Sequence, residues 1–103
     1  MSLQIPIDQA ELKAFCQKWK ITELSLFGSV LRDDFGPDSD VDVLVTFEAD
    51  APWRFRDLLL MEEELKAIFH RDVDLIERAA VIESRNHIRR KHILSTARAL
   101  YVA

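Results

Sequence analysis

Gly28-Ser29, followed after ten residues by Asp40-Val41-Asp42, holds the residue types that phosphate and metal chemistry needs. Two aspartates at i and i+2 in a strand point to the same face. Crowding two like charges at one strand end is unfavourable unless a cation lies between them. A pair of Mg²⁺ ions about 3.5–4 Å apart meets that need, because carboxylate oxygens are the hard ligands Mg²⁺ takes. Gly28-Ser29 falls where a predicted strand stops and a short helix begins. Glycine permits close backbone approach, and the first free N–H groups of a helix, with the Ser29 hydroxyl, make an anion cradle. An acidic metal site and a phosphate cradle joined by one tight loop suit a metal-bound nucleoside triphosphate.

A third carboxylate comes from Arg71-Asp72-Val73-Asp74-Leu75-Ile76. Asp72 and Asp74 share a strand face, so parity alone does not choose between them. Asp74 lies inside the apolar run and Asp72 at its solvated edge, which favours Asp74. Beside the first pair it could ligate the catalytic metal and accept a proton from an attacking hydroxyl.

These side chains need a scaffold, and the chain reads as helix, strand, short helix, strand, helix, strand, helix. Asp8 with Glu11 reads as a capping box before Leu12, Phe15, Cys16 and Trp19 at helical spacing. Leu24–Phe27 is a predicted strand, Val30–Phe35 a turn or two of helix, and Val41–Phe47 a β-branched strand. From Trp53 to His70 a long helix is predicted, with Phe55, Leu58, Leu59, Met61, Leu65, Ile68 and Phe69 as its apolar face. Val73–Ile76 is a third strand, and one final helix runs from Ile82 or Asn86 to Leu100. The short link between the first two strands predicts antiparallel pairing, and the long helix predicts a parallel crossover. The fold class is therefore α/β, a small mixed sheet of three strands or slightly more packed with helices.

Composition bounds the rest. One hundred and three residues make one domain, 1–103. The net charge of −4 argues against a broad nucleic-acid-binding surface. Residues 1–52 carry −6 and residues 53–103 carry +2, with five bases between Arg85 and Arg98. That asymmetry predicts an acidic site in the first half and a basic face, or simply a solvated one, near the end. A single cysteine, Cys16, excludes an internal disulfide and a four-cysteine metal site, and its spacing makes it a core residue. Nothing reads as a membrane span or a secretory leader, so a cytoplasmic protein is expected. The three histidines have no zinc-ligand spacing: His70 marks a helix end, and His87 and His92 sit in the basic segment. Trp53 and Phe55 are expected to pack, not to stack on a base, and Tyr101 to pack near the terminus.

Gly28-Ser29 with Arg32, then Ser39-Asp40-Val41-Asp42-Val43-Leu44-Val45, then Val73-Asp74-Leu75-Ile76, resembles the minimal nucleotidyltransferases of the polymerase-β-like superfamily. Leu31 and Asp33 flank the arginine where family members often have Ala and Gly. The resemblance implies that Gly28, Ser29 and Arg32 bind the triphosphate of ATP. It implies that Asp40 and Asp42 bind two Mg²⁺ ions, and that Asp74 completes the catalytic metal's shell. An acceptor hydroxyl would then attack the α-phosphorus, transferring a nucleoside monophosphate and releasing pyrophosphate. Small members of this family pair with an all-helical HEPN-type ribonuclease toxin and act as its antitoxin, moving AMP onto a toxin tyrosine. The 26 residues after residue 77 are expected to form one helix and a tail, too little to grip an acceptor without a partner. Two other functions are consistent with the sequence: a non-catalytic antitoxin or nucleotide-binding subunit that neutralises its partner by contact, and an aminoglycoside-type small-molecule nucleotidyltransferase. A homo-oligomer is also open.

Overall fold

The computed structural model describes residues 7–28 and 40–103. Ser29, Arg32 and the Val30–Phe35 helix lie outside them.

Helix α1, Gln9–Lys18, starts where Asp8 Oδ1 accepts hydrogen bonds from the Ala10 and Glu11 N–H groups at 2.9 and 3.2 Å. Those donors have no partner within the helix, which is why an Asp cap fixes the start. Strand β1, Ile21–Phe27, pairs antiparallel with β2, Val41–Phe47. Helix α2, Phe55–Phe69, crosses to β3, Val73–Glu77, which lies parallel to β2. Asp57 accepts the Arg54 N–H at 2.9 Å at the start of α2, and His70 closes its end with φ 59°.

The end of the chain departs from expectation. Instead of one helix to Leu100 there are two, α3 (Arg78–Ile82) and α4 (His87–Thr96), followed by a fourth strand, β4 (Arg98–Val102). Asn86 Oδ1 accepts the Arg89 N–H at 3.0 Å and so restarts the helix after the break. Strand β4 pairs antiparallel with β1, giving the sheet order β3-β2-β1-β4.

Alternation along β2 divides the molecule into layers. Val41, Val43 and Val45 face α1 and α2 and join Leu12, Phe15, Cys16, Met61, Leu65 and Phe69 in the main core. Leu44 points the other way, into a smaller cluster with Phe27, Val81 of α3 and Ile93 of α4. Met61, Leu65 and Phe69 are almost wholly buried, and each such side chain stabilises the fold by about 1.5–3 kcal/mol. Glu64 ties α1 to α2, accepting from Lys18 Nζ at 2.8 Å and from Trp19 Nε1 at 3.1 Å. Trp53 packs as expected, edge-on to Trp19 with centroids 5.0 Å apart, its Nε1 donating to the Trp19 carbonyl at 2.6 Å. Phe55 does not: it is 74% exposed, because its helical position turns it away from Met61 and Leu65. Leu59 likewise leaves the predicted apolar face and is 47% exposed. Tyr101 packs against the main core from β4.

Cys16 is completely buried, and desolvation pushes its thiol pKa from 9.0 up to about 12. The native state thus holds the proton where the unfolded chain has lost it. This contribution to stability is complete below about pH 9 and declines as pH rises from there towards 12. A thiol reagent at pH 8 is expected to label Cys16 only as fast as the protein globally unfolds, and urea-unfolded protein at once. Rapid labelling of native protein would contradict this burial.

Candidate active site

The parallel crossover brings two of the predicted carboxylates side by side. Asp42 of β2 and Asp74 of β3 are register partners, flanked by the pairs Val41–Val73 and Val43–Leu75. In-register residues of neighbouring strands share a face, and here it is the face carrying Leu44 and Ile76, away from the main core. Asp40 stands one residue before β2, two before Asp42, and is exposed. Asp72 also precedes its strand; its carbonyl accepts the Val41 N–H at 2.9 Å, while its side chain has no register position against Asp42. Of the two strand-three aspartates, the ladder therefore sets Asp74 beside Asp42.

Gly28 closes the group from the other side. Phe27 is the register partner of Asp42 across the β1–β2 ladder, and Gly28 follows it with φ +76°. A Cβ on Gly28 would fall on the Asp42 Oδ2 atom and lie 3.2 Å from its Cγ. Glycine is required twice, once by the backbone angle and once by the space over that carboxylate. Gly28→Ala is expected to destabilise the protein by about 1–2 kcal/mol and, by displacing Asp42, to lower transfer about 10²-fold. Thermal melts and single-turnover rates check both; wild-type activity in the alanine variant would show that the space is not used.

Beyond Asp74 the same face opens into a cleft of about 380 Å³. Ile76, Val81 and Ile93 form its apolar floor, and Ser84, Arg89 and Arg90 add polar groups. Arg90 is held in place, donating to the Ile82 carbonyl at 3.0 Å and to His87 Nδ1 at 2.8 Å. At the far end of α3's sheet contact, Arg78 Nη2 donates to Glu23 Oε1 at 3.0 Å. Arg89 and Arg90 were not among the predicted site residues. Their basic segment pointed equally to contact with a phosphate or an acidic partner and to a solvated face, and it is the break between α3 and α4 that brings α4 under the sheet towards Asp74.

The chemistry of the donors suits Mg²⁺. Aspartate oxygens are hard ligands, and the missing Cβ at Gly28 leaves room for the Asp42 carboxylate at the end of β1. Among the described residues no three His, Cys, Asp or Glu side chains are gathered into a metal cage. Mg²⁺ is commonly held by one or two carboxylates, with substrate phosphates and water completing six positions.

Among the described residues no helix is long and apolar enough to cross a membrane. The model of the nucleotidyltransferase domain family matches residues 11–98. The protein adenylyltransferase MntA of Thermococcus cleftensis is 33% identical over 72 residues, 70% of this chain and 71% of that protein. A chain of a toxin–antitoxin crystal structure with AMP-PNP superposes with a TM-score of 0.71 at 18% identity, covering 94% of this chain and 75% of that one. The complex of a tri-AMPylated Shewanella oneidensis HEPN toxin with its MNT antitoxin gives a TM-score of 0.62 at 18% identity, over 92% of this chain and 70% of that one. These two similarities establish the fold, an α/β domain with a four-stranded mixed sheet. With the family's model matched from α1 into β4 and an archaeal relative one-third identical, the chain belongs to the nucleotidyltransferase domain family and is a nucleotidyltransferase.

Proposed function

We propose that this protein is a Mg²⁺-dependent protein adenylyltransferase that moves AMP from ATP to a tyrosine hydroxyl of a HEPN-type toxin and so acts as its antitoxin. The observation that carries the reading is Asp42 in register with Asp74, with Gly28 making room for the Asp42 carboxylate against the end of β1. The name of the Thermococcus cleftensis relative supports protein adenylylation, and the complexes of the structural neighbours support a toxin partner.

In this reading Gly28, Ser29 and Arg32 hold the β- and γ-phosphates, and Asp40, Asp42 and Asp74 hold the metal. Mg²⁺, when bound, draws carboxylate and phosphate oxygens together and offsets the charge that develops on the leaving group. Asp74 accepts the proton of the acceptor hydroxyl. The freed oxygen forms a bond to the α-phosphorus, the bond from that phosphorus to the bridging oxygen of pyrophosphate breaks, and pyrophosphate leaves. The cleft next to Asp74 gives an acceptor side chain a way in, with an apolar floor for a ring and guanidinium groups at hand for an acidic neighbour. Docking of a partner over this open face also excludes water, which strengthens electrostatic stabilisation of the transition state.

The test is to incubate the protein with α-labelled ATP, Mg²⁺ and a small all-helical HEPN-type toxin. Label is expected on a tyrosine of the helical protein and to vanish with EDTA. Label on an aminoglycoside with the protein alone would replace this reading with a small-molecule transferase. Neutralisation of the toxin without any label would replace it with inhibition by contact.

A further inference from the structure

Helix α2 carries a carboxylate on its packed side. Leu58, four residues before Glu62, and Leu65, three after it, both pack in the main core, so the helical period calls for an apolar residue at 62. Glu62 is half-buried there, and its Oε1 accepts the Leu75 N–H of β3 at 3.1 Å. A carboxylate in an apolar stripe gives up hydration, and in return it makes a bond to the neighbouring strand.

The alternation of β3 shows which side of the strand that bond serves. The Val41 N–H of β2 donates to the Asp72 carbonyl at 2.9 Å. With Val41 opposite Val73 in a parallel ladder, the N–H groups of Asp74 and Ile76 turn towards β2 and those of Val73, Leu75 and Glu77 turn outwards. Among the described residues β3 is an edge strand, so no further ladder takes up the outward groups. Glu62 takes up the one that follows Asp74. The Leu75 N–H belongs to the same planar peptide unit as the Asp74 carbonyl. That unit is held by the β2 ladder on its inner side and by Glu62 on its outer side, which fixes the backbone rotation at Asp74. Asp42, by contrast, lies on β2 with a strand on either side and needs no such support. A hydrogen bond to a carboxylate is roughly twice as strong as one between neutral groups, which suits the task.

We propose that Glu62 is a positioning residue: by holding the Asp74–Leu75 peptide from the outer edge of the sheet, it keeps the Asp74 carboxylate aligned with Asp42 during transfer. Helix α2 packs on the face opposite those carboxylates, so Glu62 acts through the backbone and touches neither nucleotide nor acceptor. The inference rests on the reading of Asp74 as the proton acceptor.

Glu62→Met keeps a straight side chain and a good helix former in the apolar stripe but lacks the acceptor oxygen, whereas Glu62→Gln retains one. With a HEPN-type toxin as acceptor, Glu62→Met is expected to lower kcat about 10–10²-fold with KM for ATP little changed, and Glu62→Gln to recover most of the rate. Glu63→Met, at the exposed neighbouring glutamate, should match wild type. In an Asp74→Asn background Glu62→Met should cost nothing further, because the group it positions is gone. Amide hydrogen exchange reads the same bond without turnover: the Leu75 N–H should exchange about tenfold faster in Glu62→Met while the β1 amides keep their wild-type rates. Wild-type kcat or unchanged Leu75 exchange in Glu62→Met overturns the positioning role. So does a glutamine variant that recovers nothing, or a loss that multiplies with that of Asp74→Asn. Wild-type transfer by Asp74→Asn alone would instead remove Asp74 from the reaction, and the role of Glu62 with it.

Discussion

Asp42→Asn is expected to lower AMP transfer by about 10³-fold or more while leaving the fold intact, with Asp40→Asn close behind it. Asparagine keeps the shape of the side chain and removes the charge that the proposed metal requires. Nucleotide binding should suffer with the rate, because in this reading the two carboxylates hold the Mg²⁺ that the triphosphate shares. Thermal melts separate that loss from misfolding. Wild-type protein at a hundredfold excess of Mg²⁺–ATP over its Kd gains about 2.7 kcal/mol, which for a chain this size raises Tm on the order of 10 °C. The double asparagine variant should melt cooperatively and show no such rise. A double variant whose calorimetric Mg²⁺–ATP binding matches wild type would remove Asp40 and Asp42 from the site.

Asp74→Asn should produce a different pattern. A proton acceptor acts chiefly in the transition state, so kcat should fall about 10²–10⁴-fold while KM for ATP moves little. Asp72→Asn, two residues earlier and without a register position against Asp42, is the matched control and should remain near wild type. Abolished transfer in the Asp72 variant with intact transfer in the Asp74 variant would exchange the two assignments.

The sequence was most legible where local pattern and tertiary setting agree. The run Val41–Phe47 is β-branched, and its bounds as a strand are those expected from its residues. Antiparallel β1–β2 and the parallel crossover to β3 followed from loop lengths, and with them the adjacency of Asp42 and Asp74. Legibility fell where the environment overrides propensity. β1 begins at Ile21, earlier than the apolar run at Leu24, because Ile21 and Glu23 pair with Phe47 and Thr46 of β2. Residues Arg98–Val102 include Ala99 and Leu100, good helix formers, yet the open edge of β1 makes them a strand. Phe55 and Leu59 fit a broad apolar stripe by count, but the true buried stripe is narrower and centres on Met61 and Leu65. The cleft beside Asp74 depends on how α3 and α4 turn beneath the sheet, which no local spacing in the basic segment encodes.

Strand β4 has a consequence for how the protein is made. β1 lies between β2 and β4, and its Leu24 and Leu26 are wholly shielded in the finished molecule. Its second neighbour is synthesised some seventy residues later, and the final link, from the Ala103 N–H to the Thr22 carbonyl at 2.8 Å, joins the two most distant parts of the sheet. On the ribosome, β1 can pair with β2 early but keeps an uncovered edge until β4 emerges. An unpaired apolar edge is a template for association with other chains, and long-range pairing of this kind is slow. The nascent protein therefore passes through a stage in which it is most prone to aggregate just before β4 docks, and a variant that weakens β4 lengthens that stage even when the residues around Asp42 and Asp74 are untouched.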